Sequence, residues 1–324
     1  MQGTQHAGDQ AKRVADPRLP RLPCSHLRRA RLSAPRPTVV TMDEPLMEMV
    51  AGRPRAPLSP FVARYTGYRI EGAPPGMHRG LPSRHLTVIV TLNGTVDIAT
   101  MPDPAQPSGS FTTLAGGLHA GPALISHNGY QHGIQLHLTP LGTRILLGLP
   151  AGELANTVVE LDTLLGPVAR ELIERLRSAS TWTARFGELD NILIRIARQR
   201  DGAAPELRWA WRRLIDHHGR MEVTTLASEV GWSRRHLAAR FQREFGLTPK
   251  VAGRVMRFEV AHRLLRASQR PGLADVAVRA GFYDQAHLHR EWRQLTGCTP
   301  ARWLAEEFPS VHDRRTEGGG SSTA

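Results

Sequence analysis

One pattern is written twice toward the C-terminal end of this chain: Gly231-WSRRHLAARFQREFGLTP and then Gly281-FYDQAHLHREWRQLTGCTP. From Leu237 onward the spacing of Phe241, Gly246 and Pro249 recurs 51 residues later at Leu288, Trp292, Gly297 and Pro300. Upstream, Leu226-Ala227 with Val230-Gly231 matches Val276-Ala277 with Ala280-Gly281 at an offset of 50, so one residue is inserted in the second turn. A repeat of this length signals a duplicated supersecondary unit. Two copies of one small helical unit imply two copies of one job.

Each copy has the grammar of a helix-turn-helix: a short helix (225–230, then 274–280), a glycine that permits a left-handed turn, and a second helix. Ser233 and Asp284 stand where an N-cap belongs, with side chains that accept hydrogen bonds from orphan backbone N–H groups. At about 100° per residue, Leu237, Phe241 and Phe245 share the buried face of the first such helix. Arg235, His236, Ala239 and Arg243 then point outward. In the second, Leu288 and Trp292 turn inward, which directs Ala286, His287 and Arg290 outward with Gln285 and His289 near the edge. Such a set suits the major groove, where Arg pairs with guanine, Gln with adenine and Ala with the thymine methyl. His287 and His289 stand two apart on a helix and diverge, which argues against a metal site.

The 324 residues carry a formal charge of +13. Lys and Arg that neutralise phosphates gain affinity by releasing counterions, so this surplus suits a nucleic acid. Of the 42 basic residues all but Lys12 and Lys250 are Arg, a bias that GC-rich coding also produces. No run approaches the roughly 18 apolar residues of a membrane span, and no signal-peptide pattern opens the chain. These features predict a cytoplasmic protein with no membrane partner. Cys24 and Cys298 have neither metal-like nor redox-like spacing. Cys298 reads as a packing residue.

Residues 1–57 are rich in Arg, Pro, Ala and Ser without any period and read as a disordered leader. Met42 or Met47 reads as the natural start, against a transit peptide or a DNA-grasping arm. Region 58–200 reads as a regulatory domain, β-rich over 61–138 and helical over 151–200. Within it, Asn93-Gly94 between two apolar runs predicts a type I′ hairpin. Further strands are expected at 111–114, 123–126 and 133–138, and amphipathic helices at 160–178 and 183–198. Residues 201–206 read as a linker, 207–308 as an all-α domain, and 309–324 as a disordered tail. The fold class is therefore multidomain: an N-terminal β-rich, cupin-like barrel or sandwich with helices, then an all-α domain with two helix-turn-helix units joined by a long helix.

Residues 222–303 closely resemble the DNA-binding domain of AraC/XylS-type transcriptional regulators. The resemblance is carried by Leu226-Ala227 with Gly231 and Ser233, by Arg257, Ala261, Leu264 and Leu265, then by Val276-Ala277, Gly281-Phe282, Asp284-Gln285 and Gly297-x-Thr299-Pro300. It implies two helix-turn-helix units on a linking helix at about 249–267. By the same resemblance, base contacts fall at Arg235, Ala238 and Ala239, and at Gln285, His287, His289 and Arg290. Tyr283 and Ala286 depart from the small polar residues common there, and Leu288 and Trp292 from the usual Phe. Arg235 and Arg290 are expected to carry direct readout. Arg240, Arg254 and Arg257 are either phosphate contacts or structural pairs.

The resemblance implies a sequence-specific transcriptional regulator, not an enzyme, with double-stranded DNA as partner and no cofactor or metal. A small-molecule effector, RNA polymerase and a second copy of the chain are further candidate partners. Leu161, Leu165, Leu172 and Leu176 either continue across a two-fold axis or pack on their own sheet. One alternative is a cupin-type metal-dependent enzyme fused to a DNA-binding domain, using His78, His85, His119, His127, His132 and His137. Another is a ligand-independent architectural DNA binder.

Overall fold

The computed structural model describes residues 45–197 and 202–307. Positions 1–44 of the expected leader lie outside the described residues, as do 198–201, where a helix end and the linker start were expected, and the tail from 308.

The rest of the expected leader is not disordered. Strand β1 (Leu46–Gly52) runs antiparallel to β2 (Val62–Glu71), from Leu46 opposite Glu71 to Gly52 opposite Tyr65. Its inward positions are Glu48, Val50 and Gly52, too polar to give an alternating apolar signal. Their partners lie far along the chain: the Trp182 indole N–H donates to Glu48 at 2.7 Å, and the Phe186 ring lies where a Cβ on Gly52 would sit, at 2.6 Å.

Eight further strands follow: β3 (Gly76–Gly80), β4 (Leu86–Asn93), β5 (Val96–Thr100), β6 (Gly109–Phe111), β7 (Thr113–Gly116), β8 (Ala123–His127), β9 (Gln131–Leu138) and β10 (Val158–Val159). They form two antiparallel sheets, one ordered β1-β2-β9-β4-β7-β10 and one β3-β8-β5-β6. The alternation along β4 separates two environments. Leu86, Val88 and Val90 are buried toward the helices, whereas Thr87 and Ile89 face the second sheet, where Ile98, Met101, Leu114 and Val158 make a small core.

Asn93-Gly94 does not close a hairpin. β4 pairs with β7 and β9, and β5 with β6 and β8, so the turn carries the chain from one sheet to the other. Only Gly94 of the pair has positive φ, +77°, whereas a type I′ turn needs it at both positions. The Thr91 hydroxyl lies 2.9 Å from the Gly94 carbonyl and 2.8 Å from that of Thr112. That contact accompanies a register shift between Thr91 and Asn93, and the strand bends out of its sheet.

After β9 come α1 (Pro140–Gly142), continuing as a π-helical turn over Thr143–Leu147, and a 3₁₀ turn over Ala151–Leu154. The single helix expected over 160–178 is two, α2 (Leu161–Leu165) and α3 (Pro167–Ser178). Gly166 stands at φ +52° between them, and Pro167 has no N–H to continue the ladder. α4 (Trp182–Ala197) follows. Leu161, Leu172 and Leu176 are fully buried in the chain's own core with Leu86 and Val88, which leaves them unavailable to a second copy.

The C-terminal helices are α5 (Pro205–Asp216), α6 (Val223–Glu229), α7 (Arg234–Phe245), α8 (Pro249–Leu265), α9 (Leu273–Ala280), α10 (Gln285–Thr296) and α11 (Pro300–Glu307). α5 starts inside the expected linker because Pro205 suits a first helical position. Trp211 packs on Phe241 and Phe245 in the first unit, and Trp292 on Phe258 and Trp303 in the second. Phe258 belongs to α8, so the linking helix supplies the second core while spacing the two units. Cys298 is buried in that unit.

Candidate nucleic-acid interface

Helices α7 and α10 start alike. The Ser233 hydroxyl accepts the His236 N–H at 3.2 Å and the Asp284 carboxylate accepts the His287 N–H at 2.6 Å. The preceding turns also match: Trp232 N–H donates to Ala227 at 2.9 Å, and Phe282 N–H to Ala277 at 2.8 Å. Gly231 and Gly281 take φ +69° and +85°, a region that residues with a Cβ avoid. Leu237, Phe241 and Phe245 are fully buried, as are Leu288 and Trp292. The caps therefore fix where each helix begins, and the anchors fix which face it shows.

On α7, Arg235, His236, Ala239 and Arg243 are exposed and Ala238 is half-buried. His236 rests edge-on against Trp232, ring centroids 4.7 Å apart. On α10, Gln285, Ala286 and Arg290 are exposed. Two histidines are less free than their periodicity suggests. The His287 Nδ1 accepts the Tyr283 N–H at 3.3 Å, its Nε2 lies 3.6 Å from Glu291, and its ring packs on Phe282. The His289 Nε2 is buried without a partner among the described residues.

The three arginines with two readings divide. Arg254 binds Glu291 and Gln294, and Arg257 donates to the Gly219 carbonyl at 2.6 Å beneath Phe282. Both are structural. Arg240 is exposed, with no bond recorded among the described residues. Tyr283 did not figure among the expected readers, yet it is 89% exposed beside Gln285. The signal was the change of offset from 50 to 51: Phe282 takes the place of Trp232, and the inserted Tyr283 is pushed outward.

A helix-turn-helix domain model matches residues 226–306, from α6 into α11. Residues 226–306 form an AraC-type helix-turn-helix domain. The AraC-type domain is similar to an uncharacterized HTH-type transcriptional regulator, YbfI, of Bacillus subtilis (strain 168), 31% identical over 84 residues. That alignment covers 26% of this chain, and the chain spans 30% of the length of that curated relative. Among solved structures, the C-terminal domain of AraT, a response regulator from Geobacillus stearothermophilus, is 20% identical with a TM-score of 0.29, covering 31% of this chain and 84% of that one. Wild-type ToxT from Vibrio cholerae strain SCE256, bound to an unsaturated fatty acid, is 9% identical with a TM-score of 0.45, covering 81% of this chain and 95% of that one. No helix among the described residues is long and apolar enough to cross a membrane.

The AraC-type domain also meets the β region. The 3₁₀ turn at Ala151–Leu154 lies against the end of α7, where a Cβ on Gly152 would fall 2.2 Å from the Arg243 carbonyl oxygen. Between the two sheets lies a cavity of about 380 Å³, and Phe258, Glu259 and His262 of α8 form part of its wall. Burial holds His85 down at about 3, helped by Arg84, and His137 at about 4, helped by Arg64. Both imidazoles are thus neutral near pH 7. Among the described residues no group of three or more His, Cys, Asp or Glu is placed to hold a metal ion.

Proposed function

We propose that the protein is a cytoplasmic, sequence-specific transcriptional regulator without catalytic activity, which reads two successive major-groove segments of double-stranded DNA with α7 and α10. The observation that carries this reading is the duplication itself: two helices with equivalent caps, equivalent turns and buried anchors, each presenting an exposed arginine on its outer face. A helical core needs no second copy with the same caps. Arg235 and Arg290 carry direct readout. Gln285 adds hydrogen bonds of the kind that pair with adenine, Ala239 and Ala238 add contacts to thymine methyls, and His236 and Arg243 flank them. His287 serves mainly to set α10 in place, given its contacts with Tyr283, Phe282 and Glu291, and His289 lies at the edge of the reading face.

The cavity supports control by a small molecule, because its size falls at the lower end of common ligand sites and the linking helix forms one wall. For a second copy of the chain, edge strand β1, with Leu46, Met47 and Met49 exposed, is a better face than the buried leucines of α2 and α3. RNA polymerase remains a partner by analogy alone. The test is selection of bound DNA from random duplexes, then binding of the enriched site by Arg235→Ala and Arg290→Ala. Recovery of no preferred sequence would favour an architectural binder.

A further inference from the structure

The two units differ most at the leading edges of their second helices. At the start of α7 a neutral cap, Ser233, is followed by Arg234 and Arg235, both exposed. At the start of α10 the cap is a carboxylate, Asp284, followed by Gln285 and Ala286. The second unit thus brings no arginine to the place where the first brings two, and it adds an anion. Neutralising phosphates supplies much of the affinity of a DNA binder, so α10 has to hold its segment by other means.

The inserted residue supplies one. Trp232 and Phe282 are equivalent, since each donates its N–H back to the preceding helix, at 2.9 and 2.8 Å, and each has a histidine edge-on against its ring, His236 at 4.7 Å and His287 at 5.5 Å between centroids. Tyr283 has no counterpart in the first unit. Its N–H donates to His287 Nδ1 at 3.3 Å. A neutral imidazole that accepts at Nδ1 carries its proton on Nε2, and that atom lies 3.6 Å from Glu291, which Arg254 of α8 holds. The backbone of Tyr283 is therefore fixed against α10 and, through Glu291, against the linking helix. Its side chain is 89% exposed. Single exposed aromatics are ordinary on protein surfaces. This one stands on a fixed backbone directly before the cap of a helix whose first residues meet base edges when such a unit docks in the major groove.

We infer that Tyr283 sets specificity in the second unit: its ring packs on the 5-methyl group of a thymine next to the base pair that Gln285 meets. Contact with the thymine methyl is the apolar form of major-groove readout, and a tyrosine ring offers a large, stiff apolar body for it. A methyl contact carries no charge, so neither Asp284 nor salt weakens it. The first unit, with Arg234 and Arg235 in front, has no residue in this place and depends on charge instead. The inference rests on the reading of α7 and α10 as the helices that enter the groove.

The test uses the full chain and the duplex enriched by selection, with deoxyuridine replacing each thymine of the second half-site in turn. The replacement removes the methyl group alone. At one position, beside the base pair of Gln285, it should weaken binding about fourfold, the scale of one buried methyl. Tyr283→Ala should bind the unmodified duplex about tenfold more weakly, as expected for loss of a buried ring face, and should not respond to that replacement. Tyr283→Phe should keep the affinity and the response of the unaltered chain. The slope of log affinity against log salt should be the same in Tyr283→Ala as in the unaltered chain, and all three chains should melt together. An equal response to deoxyuridine with and without the ring, or no thymine in the second half-site whose methyl matters, would overturn the contact. So would a loss in Tyr283→Phe as large as in Tyr283→Ala, which would make the hydroxyl a phosphate contact, or a lowered melting temperature in Tyr283→Ala, which would make the ring a packing group. Recovery of no preferred duplex would instead overturn the reading of α7 and α10 themselves.

Discussion

Arg144, on the π-helical turn after β9, grips Glu244 on α7 through two hydrogen bonds of 3.0 and 2.7 Å. Glu244 is only 8% exposed, so α7 is fastened to the β region through a nearly buried charge. Removing one partner of such a pair strands the other. Arg144→Ala should therefore cost about 2 kcal/mol in urea unfolding, with Arg144→Ala/Glu244→Gln recovering most of it. A cost near zero for the single variant would mean that water replaces the guanidinium freely.

Gly67 in β2 lies directly beneath Trp182. A Cβ there would come within 2.4 Å of the indole ring, and that indole is held from its other end by Glu48. Gly67→Ala should lower stability by about 1–3 kcal/mol, the usual scale of overpacking. Trp182→Leu in the Gly67→Ala background should return part of that loss. Thermal melts of the three chains decide it.

Acid should weaken the fold through buried imidazoles. Burial, aided by nearby arginines, holds His85 at about 3 and His137 at about 4. In the unfolded chain both titrate near the ordinary value of about 6.5. Between those limits the unfolded state binds more protons than the folded one, so stability is full above about pH 6.5 and falls as pH drops toward 4. The melting temperature should decline through that window, and His85→Gln/His137→Gln should flatten the slope. Equal slopes would place the acid sensitivity elsewhere.

How much of this was legible in the sequence depended on how local the determinants are. The AraC-type half declares itself because each helix is set by neighbours in sequence: Ser233 caps α7, Gly231 turns into it, and Leu237 and Phe241 anchor it one turn apart. The β half is set by distant partners. β1 is held in part by Trp182, 134 residues away, and carries little apolar alternation of its own. Asn93-Gly94 has the composition of a hairpin turn, but the Thr91 hydroxyl and the second sheet decide where the chain goes next. The break at Gly166-Pro167 was written in the chain and was outweighed by the leucine spacing on either side. His287 and His289 follow the helical period correctly, yet their ring nitrogens are directed by Tyr283, Glu291 and the surrounding packing, which periodicity does not encode. The cavity was least legible, since its wall joins strands from two sheets to a helix of the other half.

In the proposed function, α7 and α10 read one DNA face as a pair of unequal halves. The direct measurement is to select duplex DNA bound by the full chain, then titrate Arg235→Ala and Arg290→Ala against the enriched site and against single-position variants of it. Two half-sites about 10 base pairs apart are expected in the enriched DNA. Each alanine variant should lose about 1–3 kcal/mol of discrimination at base pairs of its own half-site only. An enriched site with one half, or an Arg290→Ala chain whose preference for selected over scrambled DNA is unchanged, would contradict it.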